Sequence, residues 1–264
     1  MNRKKLNSLI AAVIVFFATS AFSESPHWDH AEQSTWWAIE DTTQTYPPKR
    51  FPFAVCGVGQ HQSPIDLAAA EVIDTIQINP LEILYDVDHA PVFFNSGHGI
   101  QVNTSIEYSG KLKVGEELFP LIQFHFHAPG EHVIGDTKFP AELHYVHIQA
   151  DGKIAVLAVA INIGDENSAF QTILENVPSV SGGKNENSGL QFDPAALLPP
   201  LDHPIKYYTV AGSLTTPPCS EGVQWYFLPT AITISEAQLN QLRSLYADNN
   251  RLPQDVNGRS LLTQ

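Results

Sequence analysis

The chain has 264 residues, with 14 Lys and Arg against 28 Asp and Glu and a formal net charge of −14. So acidic a chain disfavours nucleic acid and anionic membranes as partners. The length allows one large domain with a substantial core.

The chain opens on the basic run Arg3-Lys4-Lys5, followed by an uncharged apolar stretch from Leu9 to Ala18 and small residues at Ala21 and Ser23. This three-part pattern predicts a secretory signal over 1–23, with one domain over 24–264. The apolar run is too short for a membrane span, which needs roughly 20 apolar residues. Loss of the three basic residues would take the net charge from −14 to −17. The expected location is the periplasm or the exterior.

Short runs rich in Val, Ile, Phe, Tyr and Thr follow, divided by Gly, Pro, Asn and Asp. They predict strands at Ile76–Ile78, Gly99–Tyr108, Leu121–His127, Glu142–Gln149, Ile154–Ile163, Tyr207–Ala211 and Gln224–Leu228. Helical spacing occurs in two places. Phe170, Ile173, Leu174 and Val177 lie on one face of Ser168–Val177, and Leu239, Leu242 and Leu245 mark a helix from Ser235, its N-cap, to Tyr246. Thr42–Gln62 and Ser179–Gly189 read as irregular, and Asp248–Gln264 as surface-wrapping chain without periodicity. The pattern is that of a mainly β domain. Cys56 and Cys219 fit no zinc motif; in an oxidising compartment they read as a disulfide, with two separate buried thiols as the alternative.

Eleven histidines are present, and their placement carries the chemistry. In Gln123-Phe124-His125-Phe126-His127, strand alternation sends both imidazoles to one face, roughly 6.5–7 Å apart at Cα, and both phenylalanines to the other. In Ala141-Glu142-Leu143-His144-Tyr145-Val146-His147, the residues Glu142, His144 and Val146 share one face, and His147 lies on the opposite one. Three neutral imidazoles with an open fourth position make a catalytic type of zinc site. Glu142 and Gln123, each two residues before a candidate ligand on its own face, are candidate outer partners. The alternative is ordinary polar residues in a strand.

These segments, with Glu131-His132, Gly212-Ser213-Leu214-Thr215-Thr216-Pro217-Pro218-Cys219, Trp225, Gln62-Ser63-Pro64-Ile65-Asp66 and Asn95-Ser96-Gly97-His98, resemble the α-class carbonic anhydrases. The resemblance spans about Trp28 to Arg259. It implies a large twisted, predominantly antiparallel central sheet with a few short peripheral helices. It also implies reversible hydration of CO2 to bicarbonate and a proton by attack of a zinc-bound hydroxide. His125, His127 and His144 match the Zn2+ ligands, and Gln123 and Glu142 match outer partners of the first and third. Thr215 and Glu131 match the pair that orients the hydroxide, and His98 the proton shuttle. Val146, Val156, Leu214, Thr216 and Trp225 match the substrate pocket, and Cys56 and Cys219 a disulfide. Partners are then CO2, bicarbonate and water, with sulfonamide or anion inhibitors at the zinc; a homodimer is compatible with the resemblance. His27-Trp28-Asp29-His30 departs from the family pattern, placing His30 where a Tyr is usual. His132 and His147 read as structural. The rival reading is a catalytically inactive relative that serves as a binding module.

Overall fold

The most continuously apolar run among the described residues, Ile154–Ile163, becomes a ten-residue strand in the middle of a 13-stranded sheet. A strand buried on both faces needs no polar alternation, which is why this segment reads as a solid run of Ile, Ala, Val and Leu. The computed structural model describes residues 26–43, 47–75, 78–134, 137–186 and 189–263; the proposed signal over 1–23 lies outside them. Across the sheet the order is Glu71–Asp74, Ser260–Thr263, Tyr208–Ser213, Glu221–Phe227, Ile154–Ile163, Ala141–Ile148, Glu117–His127, Ile100–Asn103, Val92–Asn95 and Lys184–Asn185. Most pairs are antiparallel. Parallel pairing joins Glu71–Asp74 to Ser260–Thr263, and Ile154–Ile163 to both Glu221–Phe227 and Ile232–Ile234.

The strand Glu117–His127 changes phase along its length. Phe119 and Leu121 are buried in the main core before the change, and Phe124 and Phe126 after it. The switch from odd to even numbers occurs at an irregularity in the pairing with Ala141–Ile148, between Leu121 and Gln123. One extra residue in a strand reverses the facing of everything beyond it. Here it delivers Gln123, His125 and His127 together to the face opposite the main core. Burial of each phenylalanine stabilises that arrangement by about 1.5–3 kcal/mol.

Two helices cover the main core and leave the histidine face open. Ser168–Asn176 is capped by Asn167, whose side chain accepts from the N–H of Phe170, and buries Phe170, Ile173 and Leu174. Glu236–Leu245 begins with a capping box of Ser235 and Gln238 and buries Leu239 and Leu242. The expected strands appear near their predicted bounds, with two departures: Gly99–Tyr108 is a strand only over Ile100–Asn103, and Ile76–Ile78 is not matched. Ile76 and Gln77 lie outside the described residues, Ile78 is not in a strand, and the nearest strand is the preceding Glu71–Asp74. Three segments read as irregular contain short elements: a helical turn at Val55–Val58, a two-residue strand at Lys184–Asn185, and the strand Ser260–Thr263. A 3-10 helix at His30–Ala38 was not expected, because it buries only His30 and Trp36 and so shows no apolar stripe. Cys56 and Cys219 are disulfide-bonded. Among the described residues no helix is long and apolar enough to cross a membrane.

Candidate active site

Sheet register assembles the three histidines. His125 lies directly opposite His144 in the antiparallel pair, and His127 lies opposite Glu142. The ring centroids are 5.0 Å apart for His125 and His127, 5.3 Å for His125 and His144, and 4.7 Å for His127 and His144. One ring nitrogen from each falls within 4.8 Å of the other two.

The second nitrogen of each ring is bound to an acceptor. His125 Nδ1 donates to Gln123 Oε1 at 2.8 Å, His127 Nδ1 to the Asn249 carbonyl at 2.9 Å, and His144 Nε2 to Glu142 Oε1 at 2.8 Å. An imidazole that donates from one nitrogen when neutral presents a lone pair at the other. Burial holds all three neutral. It pushes His125 well below its ordinary value, helped by the neighbouring rings, lowers His127 to about 4 and lowers His144. His127 Nε2 is buried and has no hydrogen-bond partner. An orphaned lone pair beside two other imidazoles is the observation by which these residues fit a zinc ion.

Glu142 is saturated. Oε1 accepts from both His144 and His132 Nδ1, the latter at 2.7 Å, and Oε2 accepts from the N–H groups of Glu131 and His132, each at 2.8 Å. Burial alone would raise its pKa; the attraction and hydrogen bonds of His132 and His144 outweigh that and hold it well below the usual carboxylate range. Glu131 is raised instead, chiefly by burial. Its Oε1 accepts from the Arg251 N–H at 2.8 Å, and its Oε2 has no partner, leaving it free to accept from a hydroxyl.

Sheet register also builds the apolar wall. Val156 lies opposite Val146 on one side and Trp225 on the other, and all three share a cluster with Leu214. The Trp225 indole donates to the Ser213 carbonyl at 3.0 Å. Gly212 permits this approach, because a Cβ there would lie 2.2 Å from Ser63 Oγ and 2.8 Å from the Trp225 ring. The loop that carries Thr215 and Thr216 is held at its far end by the Cys219 disulfide. A cavity of about 240 Å³ is lined by His125, His127, Thr216, His98, Trp28 and Asn249 among others. A second one, about 620 Å³, lies outside it along His30, Gly97 and His98. His98 is half-buried between the two and stacks on Trp28 at 4.1 Å.

Two residues at the site carry no sequence signal: Asn249 and Arg251, each more than a hundred positions from its partner. His132, read as structural, acts on the site through Glu142. The adjacency of Glu131-His132 was the available clue.

Three neutral imidazoles with polar outer partners, beside an apolar wall, are the donor set of a catalytic rather than a structural metal centre, and make these residues the candidate for one. The family model for eukaryotic-type carbonic anhydrase matches residues 43–264. The carbonic anhydrase of Neisseria gonorrhoeae is 34% identical over 254 residues, 94% of each chain, and that of Pectobacterium atrosepticum 34% identical over 252. The α-carbonic anhydrase of Thermovibrio ammonificans, solved with the inhibitor sulfanilamide, superimposes with a TM-score of 0.78 at 33% identity, covering 90% of this chain and 99% of that one. Dioscorin, solved with ascorbate, gives 0.75 at 25% identity over 92% and 95%. The chain therefore belongs to the eukaryotic-type, or α-class, carbonic anhydrases, enzymes of CO2 hydration.

Proposed function

We propose that this chain hydrates CO2 reversibly to bicarbonate and a proton at a zinc held by His125, His127 and His144. The observation that carries the reading is the orphaned, buried Nε2 of His127 within a trio of neutral imidazoles. Zinc, when bound, would activate a water for attack on CO2 near neutral pH. Gln123, the Asn249 carbonyl and Glu142 fix the three rings in the tautomers that a cation needs. The Thr215 hydroxyl would accept a hydrogen bond from the attacking group and donate its own to the free Oε2 of Glu131, a pairing that orients the attacking lone pair without moving a proton. Val146, Val156, Leu214 and Trp225 form a dry wall that receives CO2, with Thr216 at the cavity edge. His98 accepts the product proton and releases it to solvent.

The His98 role follows from a rate limit. A proton leaving a group of pKa near 7 directly to water is limited to about 10³ s⁻¹, because recombination cannot greatly exceed a diffusional limit of about 10¹⁰ M⁻¹s⁻¹. Imidazole is the side chain with a suitable pKa to exceed that limit. Sulfonamides and small anions should bind at the metal. The disulfide supports an exported protein, periplasmic or secreted, with residues 1–23 as its signal and 24–264 as one domain. The presence of Glu131, Thr215 and all three imidazoles argues against the inactive binding module.

Stopped-flow hydration of CO2 with a zinc assay on the same sample tests the reading. One zinc per chain and rapid hydration are expected; one zinc per chain with no hydration would favour the binding module. His98→Ala should slow turnover most in weak buffer, recover in part with added imidazole and leave kcat/KM nearly unchanged. Wild-type turnover by that variant in weak buffer would remove the shuttle role.

A further inference from the structure

Asn249 is 3% exposed and uses every polar atom it has. Its carbonyl accepts from His127 Nδ1 at 2.9 Å, and its own N–H donates to the Ala128 carbonyl at 3.4 Å. The side-chain Oδ1 accepts from the Ala128 N–H at 2.9 Å. Nδ2 donates to the Phe126 carbonyl at 3.0 Å and to the His98 carbonyl at 2.9 Å. One residue thus brackets His127 on both sides along the chain and reaches across to His98.

Within the His98 turn, Ser96 N–H and Oγ donate to the Gly99 carbonyl and the His98 N–H donates to Ser96 Oγ; the Gly97 N–H donates to Asn95 Oδ1 at the end of the preceding strand. Among the described residues, the Asn249 amide makes the one hydrogen bond that reaches His98 from outside its turn. Gly99 leaves room for it, since a Cβ there would lie 2.7 Å from Asn249 Nδ2.

We propose that the Asn249 side chain is a positioning residue that ties the placement of His98 to that of His127, so that one amide governs both proton release and metal retention. This rests on the reading of His98 as proton carrier and His127 as zinc ligand. The His98 ring must move between cavity and solvent, so its backbone pivot has to be held while the ring turns. The Asn249–His98 bond holds that pivot against the strand that carries the ligands. A displacement of the pivot by about 1 Å lengthens the path between His98 and the centre, and misplacement on that scale costs up to about 10²-fold in rate.

The test compares wild type, Asn249→Asp, Gly99→Ala, His98→Ala and the Asn249→Asp/His98→Ala double variant, all zinc-loaded. Asn249→Asp keeps the shape and the acceptor for Ala128 but turns an oxygen toward two carbonyls. Gly99→Ala leaves Asn249 in place and forces its amide aside, so it carries the test should Asn249→Asp fail to fold. Either single change should lower weak-buffer turnover about tenfold and release zinc to a chelator about tenfold faster, in the range for outer partners of a metal ligand. kcat/KM should change by less than about twofold, and imidazole should restore turnover. In the His98→Ala background, Asn249→Asp should lower turnover no further, because both act on one step. Additive losses, a parallel fall in kcat/KM, or unchanged zinc release would overturn the proposal and leave the shuttle reading standing. Wild-type weak-buffer turnover by His98→Ala alone would remove the shuttle reading and the proposal with it.

Discussion

His144 and His147 lie on one strand, both buried, both with pKa values lowered by burial, yet they serve opposite faces of the sheet. His147 is fully partnered. Its Nδ1 donates to the Ala155 carbonyl at 3.1 Å, which leaves Nε2 to accept from the Tyr85 hydroxyl at 2.7 Å. His144 has one nitrogen on Glu142 and gives the other to the cluster with His125 and His127. Burial and a depressed pKa do not separate a ligand from a core histidine. The convergence of unpaired nitrogens does: both nitrogens of His147 are paired, whereas one nitrogen each of His125, His127 and His144 lies within 4.8 Å of the other two and is costly until a cation joins them; a single unpaired nitrogen, as on His30 or His132, does not suffice.

Removal of each histidine should break this contrast open. His144→Ala leaves two imidazoles, too few for a tight site. Zinc content and CO2 hydration should fall by more than the roughly 10–100-fold that loss of an outer partner costs. Full zinc with full activity in that variant would sink the ligand assignment. Glu142→Gln should come next, lowering zinc affinity by about 10–100-fold in chelator competition. The amide would turn its NH2 toward either the imidazole donors or the backbone N–H groups of Glu131 and His132, so no orientation satisfies all four. Unchanged zinc affinity would mean that Glu142 does not orient His144.

The facing of the strand that carries the proposed ligands was legible because alternation needs no knowledge of the rest of the chain. His125 and His127 share a face at any register, and Phe124 and Phe126 must then share the other. The phase change near Ile122 was not legible, since an extra residue in a strand of mixed apolar and polar side chains leaves the local pattern plausible on either side. Asn249 could not be found either. Its contribution to His127 is a backbone carbonyl, which any residue possesses, and only the path of the chain after the Glu236–Leu245 helix brings it there. Ser260–Thr263 was missed for a related reason: an edge-side strand of four residues with one fully buried side chain, Leu261, has too little pattern to announce itself.

The smaller effects sit on the far face. Tyr85→Phe leaves His147 Nε2 as a buried acceptor without a donor, which should destabilise the fold by about 1–3 kcal/mol with zinc content and activity unchanged. Loss of zinc in that variant would show that the two faces are coupled, against the contrast drawn between them. The pH dependence sharpens the same point. Burial lowers His147 to about 3 from its ordinary 6.5, against hydrogen bonds to backbone that would raise it. The folded protein therefore keeps the ring neutral where the unfolded chain protonates it. Its contribution to stability is fully present above pH 6.5 and is lost as pH falls toward 3. Between those limits the unfolded state binds one more proton, a slope of about 1.4 kcal/mol per pH unit. A Tyr85→Phe/His147→Phe double variant removes the titrating group and its partner together. Urea unfolding of both proteins at pH 6.5 and pH 5 should show the wild type losing more stability by about that slope. The other buried histidines titrate alike in the two proteins and cancel. Parallel losses would mean that His147 is already protonated in the folded state, and that both of its nitrogens donate.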